Sequence, residues 1–272
     1  MERIKIAVEK AREQAAAQQL PADKEALKTA ESPFEKDFPT INYSKTKIVG
    51  LNLEHLERHR IVAYNKSHPS NWMFDLLRTR VLQRMVENGW RTLAVTSPSP
   101  EAGKTVVSIN LAMSIAHQTR HTALLVDFDL RRPKVGNYLG IETDVSLNDV
   151  LAGDADVSDV MVNPNLPRLV VVPTKRPVEK PSEMLSSKRA ERIITDLRGR
   201  YDERIVIFDL PPLLAADDAI AILPKIDCVL LVVGNGMSTE REIKDSLRHL
   251  TEANLLGLVM NKAELPTKNN YY

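Results

Sequence analysis

Six short apolar runs, each bounded by polar turns, constrain this chain to one architecture. They are TLAVT (92–96), ALLVDFD (123–129), RLVVVP (168–173), RIVIFDL (204–210), DCVLLVV (227–233) and LLGLVMN (255–261). Each is short and nearly unbroken in hydrophobicity, as a strand buried on both faces must be. Between them lie segments of helical periodicity: Gly103 to about His117, SEMLSSKRAERIITDLRGRY, Ala216 to Leu223 and TEREIKDSLRHLTEA, with FDLLRTRVLQRMVENG before the first run. A loop with short helices fills the stretch to about Val162. Strands alternating with helices predict an α/β fold, a parallel β-sheet flanked by helices. Ligands of such sheets sit beyond the carboxyl ends of the strands, so functional residues are sought there.

Composition removes several classes. The 37 basic and 36 acidic residues leave a net charge of +1, with no polyelectrolyte excess to attract nucleic acid or anionic lipid. The single cysteine, Cys228, sits in CVLLVV and reads as a small buried hydrophobe, so a disulfide framework is ruled out. MERIKIAVEKAREQ is charged from its second residue and lacks the apolar core of a signal peptide. No run approaches the roughly 18 apolar residues of a membrane span. The expectation is a cytoplasmic protein that meets the inner face of the membrane only through a partner. Residues 1–50 read as a short helix, striped by Ile4, Ala7, Val8, Ala11 and Ala15, followed by a linker. Residues 51–261 form the expected catalytic domain and 262–272 a polar tail.

The strand ends carry the chemistry. After TLAVT comes SPSPEAGKT, which runs straight into the apolar helix VVSINLAMSIA. In a phosphate-binding loop the backbone N–H groups and helix dipole converge on phosphate oxygens, a lysine neutralises the β/γ charge and a hydroxyl ligates Mg²⁺. Pro100, Glu101, Ala102, Gly103, Lys104, Thr105 and Val106 are placed in that loop, with Pro98 standing where the strict pattern has its first glycine. Asp127 and Asp129 share a side of their strand by the period of two, where they could hold Mg²⁺ or accept a proton. Asp209, before Leu210, Pro211 and Pro212, occupies the position from which a carboxylate orders Mg²⁺-bound water. Asn261 ends the last run, and its amide suits either the edge of adenine or a turn. Arg131, Arg132 and Lys134 could stabilise phosphoryl charge, pair with a neighbouring subunit or simply be solvated.

Taken together, SPSPEAGKT, LLVDFDLRRP and VIFDLPP resemble the three nucleotide motifs of the bacterial tyrosine kinases of capsule and exopolysaccharide synthesis. The likeness is to the cytosolic type, whose transmembrane activator is a separate polypeptide, and spans roughly residues 70–272. It implies a P-loop NTPase of the deviant Walker A kind, MinD- and ParA-like in fold. DNA-partitioning and division-site relatives carry a lysine where this chain has Ser99, which argues against their function. The resemblance further implies that Lys104 contacts the phosphates of ATP, that Thr105, Asp129 and Asp209 organise Mg²⁺, and that Asp127 is the base. Tyr271 and Tyr272 would be the phosphoacceptors, reached between neighbouring copies of a homo-oligomer. The implied partners are a transmembrane polysaccharide co-polymerase that activates the kinase and a tyrosine phosphatase. A regulatory ATPase that switches a partner without phosphorylating tyrosine is the alternative. The chain departs from the family at Glu101, usually glycine, and at Trp72, Asp75 and Arg78, where the assembly helix reads Glu-x-x-Arg-x-x-Arg.

Overall fold

The computed structural model describes residues 46–118, 120–201 and 203–263. The helix and linker read over most of residues 1–50, and the acceptors Tyr271 and Tyr272, lie outside them. In chain order the strands are β1 (Lys47–Ile48), β2 (Thr92–Thr96), β3 (Thr122–Asp127), β4 (Val162–Asn163), β5 (Leu169–Val172), β6 (Arg204–Asp209), β7 (Cys228–Gly234) and β8 (Leu255–Asn261). The helices are α1 (Leu53–Arg58), α2 (Asn71–Glu87), α3 (Lys104–Gln118), α4 (Val135–Leu139), α5 (Leu147–Ala152), α6 (Pro181–Leu185), α7 (Lys188–Gly199), α8 (Asp218–Ile222) and α9 (Glu240–His249).

All six apolar runs form strands of a single sheet, in the order β1-β4-β5-β3-β6-β2-β7-β8. The period of two sorts their side chains into two cores. Val206 and Phe208 of β6 pack with Leu124, Val126, Val170 and Leu231 on one face, and Ile205 and Ile207 pack with Leu93, Leu125, Val171 and Leu230 on the other. Cys228 belongs to the second core, where burial pushes its thiol up to about 12. It is inert as a nucleophile.

Three features depart from the expectation. The sheet is not wholly parallel: Val162 of β4 pairs antiparallel with Val171 of β5. Only five residues join Asn163 to Leu169, too few for a parallel crossover. Its turn uses Asn165 at φ +54° and Arg168 at φ +69°. Strand β1 pairs with β4, so the sheet begins inside the stretch 1–50 that the sequence presents as linker. The single helix expected over SEMLSSKRAERIITDLRGRY is two. Ser187 is extended at ψ 152° and its hydroxyl caps Ala190 N–H, so the chain turns between α6 and α7. Paired serines compete for backbone bonds in this way. Among the described residues no helix is long and apolar enough to cross a membrane.

Candidate active site

The loop from Ser97 to Gly103, between β2 and α3, is pinned at both ends. Leu213 N–H donates to Ser97 O at 2.8 Å, Leu214 N–H donates to Pro98 O at 3.1 Å, and the Thr96 hydroxyl donates to Pro211 O at 2.7 Å. Pro98 thus contributes a carbonyl where its missing N–H costs nothing. Gly103 has φ +91°, and a Cβ there would fall 2.1 Å from the Asn261 amide nitrogen. That nitrogen donates to Ala102 O at 2.9 Å. Asn261 therefore clamps the loop from the end of β8. One N–H of its amide is engaged with Ala102, and Asn261 is not among the residues lining the cleft described below. Ala102 is likewise buried beneath the loop, against Gly234.

The carboxyl ends of β3 and β6 face the first turn of α3. Lys104 Nζ lies 2.7 Å from Asp129 Oδ2 and 3.6 Å from Asp209 Oδ2. The Thr105 hydroxyl donates to Asp209 Oδ2 at 2.6 Å, and the Ser108 hydroxyl meets Asp209 Oδ1 at 3.1 Å. Burial alone would pull the Lys104 ammonium down, but Asp209 and Asp129 outweigh it and hold the group above its ordinary value. Asp209 is raised by its own burial, against the opposing pull of Lys104 and Thr105. Sequence reasoning missed Ser108, which sits one helical turn after Lys104. Thr105 and Asp209 offer hard oxygen donors side by side, as Mg²⁺ requires, and Mg²⁺ keeps several of its own waters. Asp129 is engaged with Lys104 instead.

Asp127 stands apart from these groups in what it touches. Its Oδ2 accepts the N–H groups of Lys134 and Val135 at 3.0 and 2.9 Å, and its Oδ1 accepts Asp129 N–H at 3.2 Å. It is fully buried and does not line the cleft. Burial and the nearby Asp209 raise its carboxyl well above the ordinary range. Both of its oxygens accept backbone N–H groups, so in this structure Asp127 positions the 129–135 loop.

A cleft of about 600 Å³ opens over this cluster. Pro100, Glu101, Gly103, Lys104, Thr105 and Val106 form its floor, Asp129, Arg131, Arg132, Lys134 and Tyr138 one wall, and Pro211, Pro212 and Ala215 another. Glu101 is exposed at the rim with φ +66°, a conformation that explains why glycine is usual there. Arg131 is bound through its guanidinium to the buried Asp218, itself held by Ser182. The remaining wall comes from Arg58, His59 and Arg60, which no motif or periodicity marks. On α2, Asp75 and Arg78 bond each other at 2.6 Å and grip Ser114 of α3, while Trp72 is 57% exposed.

A family model described as an AAA domain matches residues 91–251. EpsB of Ralstonia nicotianae is 34% identical over 195 residues, 71% of this chain, but the chain spans only about a quarter of that relative, 26%. The tyrosine-protein kinase CpsD of Streptococcus pneumoniae serotype 4 is 33% identical over 178 residues, covering 64% of this chain and 77% of CpsD. Among solved structures, the kinase domain of Escherichia coli tyrosine kinase ETK superimposes with a TM-score of 0.69 at 26% identity, covering 83% of this chain and 94% of that one. With its pinned phosphate loop and its lysine and aspartates at adjoining strand ends, the chain belongs to the bacterial tyrosine kinase family.

Proposed function

We propose that this protein is an ATP- and Mg²⁺-dependent protein-tyrosine kinase that phosphorylates copies of itself and regulates polymerisation and export of exopolysaccharide or capsule. The observation that carries the reading is the gathering of Lys104, Thr105 and Asp129, which line one cleft, with the buried Asp209 beneath them, in a chain of this family. The loop N–H groups and Lys104 hold the triphosphate. Thr105 and Asp209 would hold Mg²⁺, which would supply neutralisation of charge on the transferring group. A tyrosine phenol attacks the γ-phosphorus, the bond from that phosphorus to the β–γ bridging oxygen breaks, and ADP leaves. Of the two aspartates at the end of β3, Asp129 takes the phenolic proton in this reading in place of Asp127 because it borders the cleft, and its bonds to Lys104 Nζ and Arg132 N–H open as the phenol enters.

The acceptors in this reading are Tyr271 and Tyr272. The ten residues after Lys262 reach on the order of 35 Å when extended, far enough to enter a neighbouring copy of a homo-oligomer. A transmembrane co-polymerase as activator, a tyrosine phosphatase as antagonist, and a station at the inner face of the membrane complete the proposal. Supporting it are the family membership and the absence of any long apolar helix among the described residues.

The test is mass spectrometry of the full chain after incubation with ATP and Mg²⁺, with and without the cytosolic segment of such a co-polymerase. Phosphate on Tyr271 and Tyr272 is expected. Asp129→Asn should reduce the label by about 100-fold or more while ATP still binds. ATP hydrolysis with no tyrosine label would replace this reading with that of a regulatory ATPase.

A further inference from the structure

Arg60 occupies a backbone position that ordinarily belongs to glycine. Helix α1 ends in a Schellman turn, with Ile61 N–H donating to Leu56 O and Arg60 N–H donating to Glu57 O, both at 2.9 Å. This puts Arg60 at φ +59°, a conformation that a residue with a Cβ adopts at a cost. The surroundings hold it there. The buried Asn110 on α3, six residues after Lys104, accepts Val62 and Ala63 N–H at 2.8 Å each and donates to Arg60 O at 3.1 Å. The rings of His55, His59 and Tyr138 stack at 4.4 and 4.8 Å and tie this turn to α4. Backbone strain so thoroughly supported marks a side chain that is needed where it points. Arg60 is exposed and lines the cleft.

The charge around it is unbalanced. Lys104 is matched by Asp129, Arg131 by Asp218 and Arg58 by Glu54. Arg60, Arg132 and Lys134 also line the cleft and have no carboxylate partner among the described residues, where Glu101 is the lining carboxylate without an ion pair. Lys134 Nζ stands 6.0 Å over the Tyr138 ring. The triphosphate already has the loop and Lys104, so this surplus serves something else in the cleft.

We propose that Arg60, with Lys134 and Tyr138, forms a subsite for an acidic tyrosine peptide of another protein, a substrate class beyond the Asn-flanked Tyr271 and Tyr272, and takes the carboxylates that flank its tyrosine. The subsite rests on the kinase reading and names the substrate class of that site. A guanidinium pairs with a carboxylate through two parallel hydrogen bonds, and a ring beside it covers the aliphatic part of the peptide.

The probes are two tyrosine peptides, Glu-Glu-Tyr-Glu-Glu and Gln-Gln-Tyr-Gln-Gln. Their binding to the full chain, loaded with a non-hydrolysable ATP analogue and Mg²⁺, is read by fluorescence anisotropy, and their phosphorylation as kcat/KM. Wild type is expected to favour the acidic peptide by about tenfold or more. Arg60→Gly should bring that ratio close to one, and Arg60→Lys should keep most of it. Because glycine suits φ +59°, thermal unfolding of Arg60→Gly should show no loss of stability, which separates the effect from misfolding. Equal binding of both peptides to wild type, or a ratio that survives Arg60→Gly, overturns the subsite. So does loss of analogue binding in Arg60→Gly, which would assign the guanidinium to ATP. If wild type prefers the acidic peptide in binding but phosphorylates neither, the subsite stands and the kinase reading fails.

Discussion

Glu101 and Lys104 show how much a single residue decides in the phosphate loop. Glu101 bears a left-handed φ of +66° and carries its carboxylate to the rim of a cleft that should admit triphosphate. Replacing it with glycine removes a conformational penalty of about 1–2 kcal/mol, less about 0.5–1 kcal/mol of added backbone entropy in the unfolded chain. Glu101→Gly should therefore raise the unfolding free energy by about 0.5–1 kcal/mol in urea titrations and tighten ATP binding at low salt. Weaker ATP binding would show that the carboxylate helps to hold the loop. Lys104 is not idle without nucleotide, because it neutralises Asp129 and Asp209 in a site with little water.

Among the elements, α3 connects the most parts of the site. Its first turn holds Lys104 and Thr105, its second presents Ser108 to Asp209 and Asn110 to the Arg60 turn, and its fourth carries His117. The Nε2 of His117 is buried without a hydrogen-bond partner. Burial lowers the His117 pKa below its ordinary 6.5, with the Lys66 charge acting the same way. A histidine held neutral in the fold contributes stability that is fully present above pH 6.5 and is lost as pH falls through its lower folded value. The thermal midpoint should thus decline as pH falls below about 6.5, and His117→Phe should flatten that decline. A decline equally steep in the variant would place the titrating group elsewhere. This element was legible from its apolar spacing after GKT. The contacts of Asn110 were not, because their partners lie about 50 residues earlier in a turn with no pattern of its own.

At the scale of the whole molecule, nucleotide binding and folding are linked. The cleft draws on the segments after β2, β3 and β6 and on the turn after α1, so a ligand of this cleft, Mg²⁺·ATP in the proposed reading, would bind only the folded protein. Ligand at 100 times its Kd should stabilise the protein by about 2.7 kcal/mol. For a domain of this size that is an upward shift of about 5–10 °C in Tm. Lys104→Met should abolish the shift, and differential scanning fluorimetry reads both. An undiminished shift in Lys104→Met would dismiss the loop as the nucleotide site.

Local pattern alone determined six of the eight strands, the phosphate loop and the strand-end aspartates, because each is written in contiguous residues. Strand periodicity lies in a run such as RIVIFD, and a loop that cradles phosphate with its own backbone needs only a strand before it and a helix after it. Which side chains are free to act was decided by tertiary structure. Asp127 and Asp129 are two residues apart and equivalent by period, and both accept N–H groups of the 129–135 loop, yet Asp129 meets Lys104 and borders the cleft while Asp127 does not border it. The bond from Asn261 to Ala102 depends on where β8 ends in the sheet. The Arg58–Arg60 wall became visible only when α1 packed beside α4 and Asn110 fixed its turn. Hydrogen bonds between distant segments set where a polar side chain points, and no local periodicity encodes them.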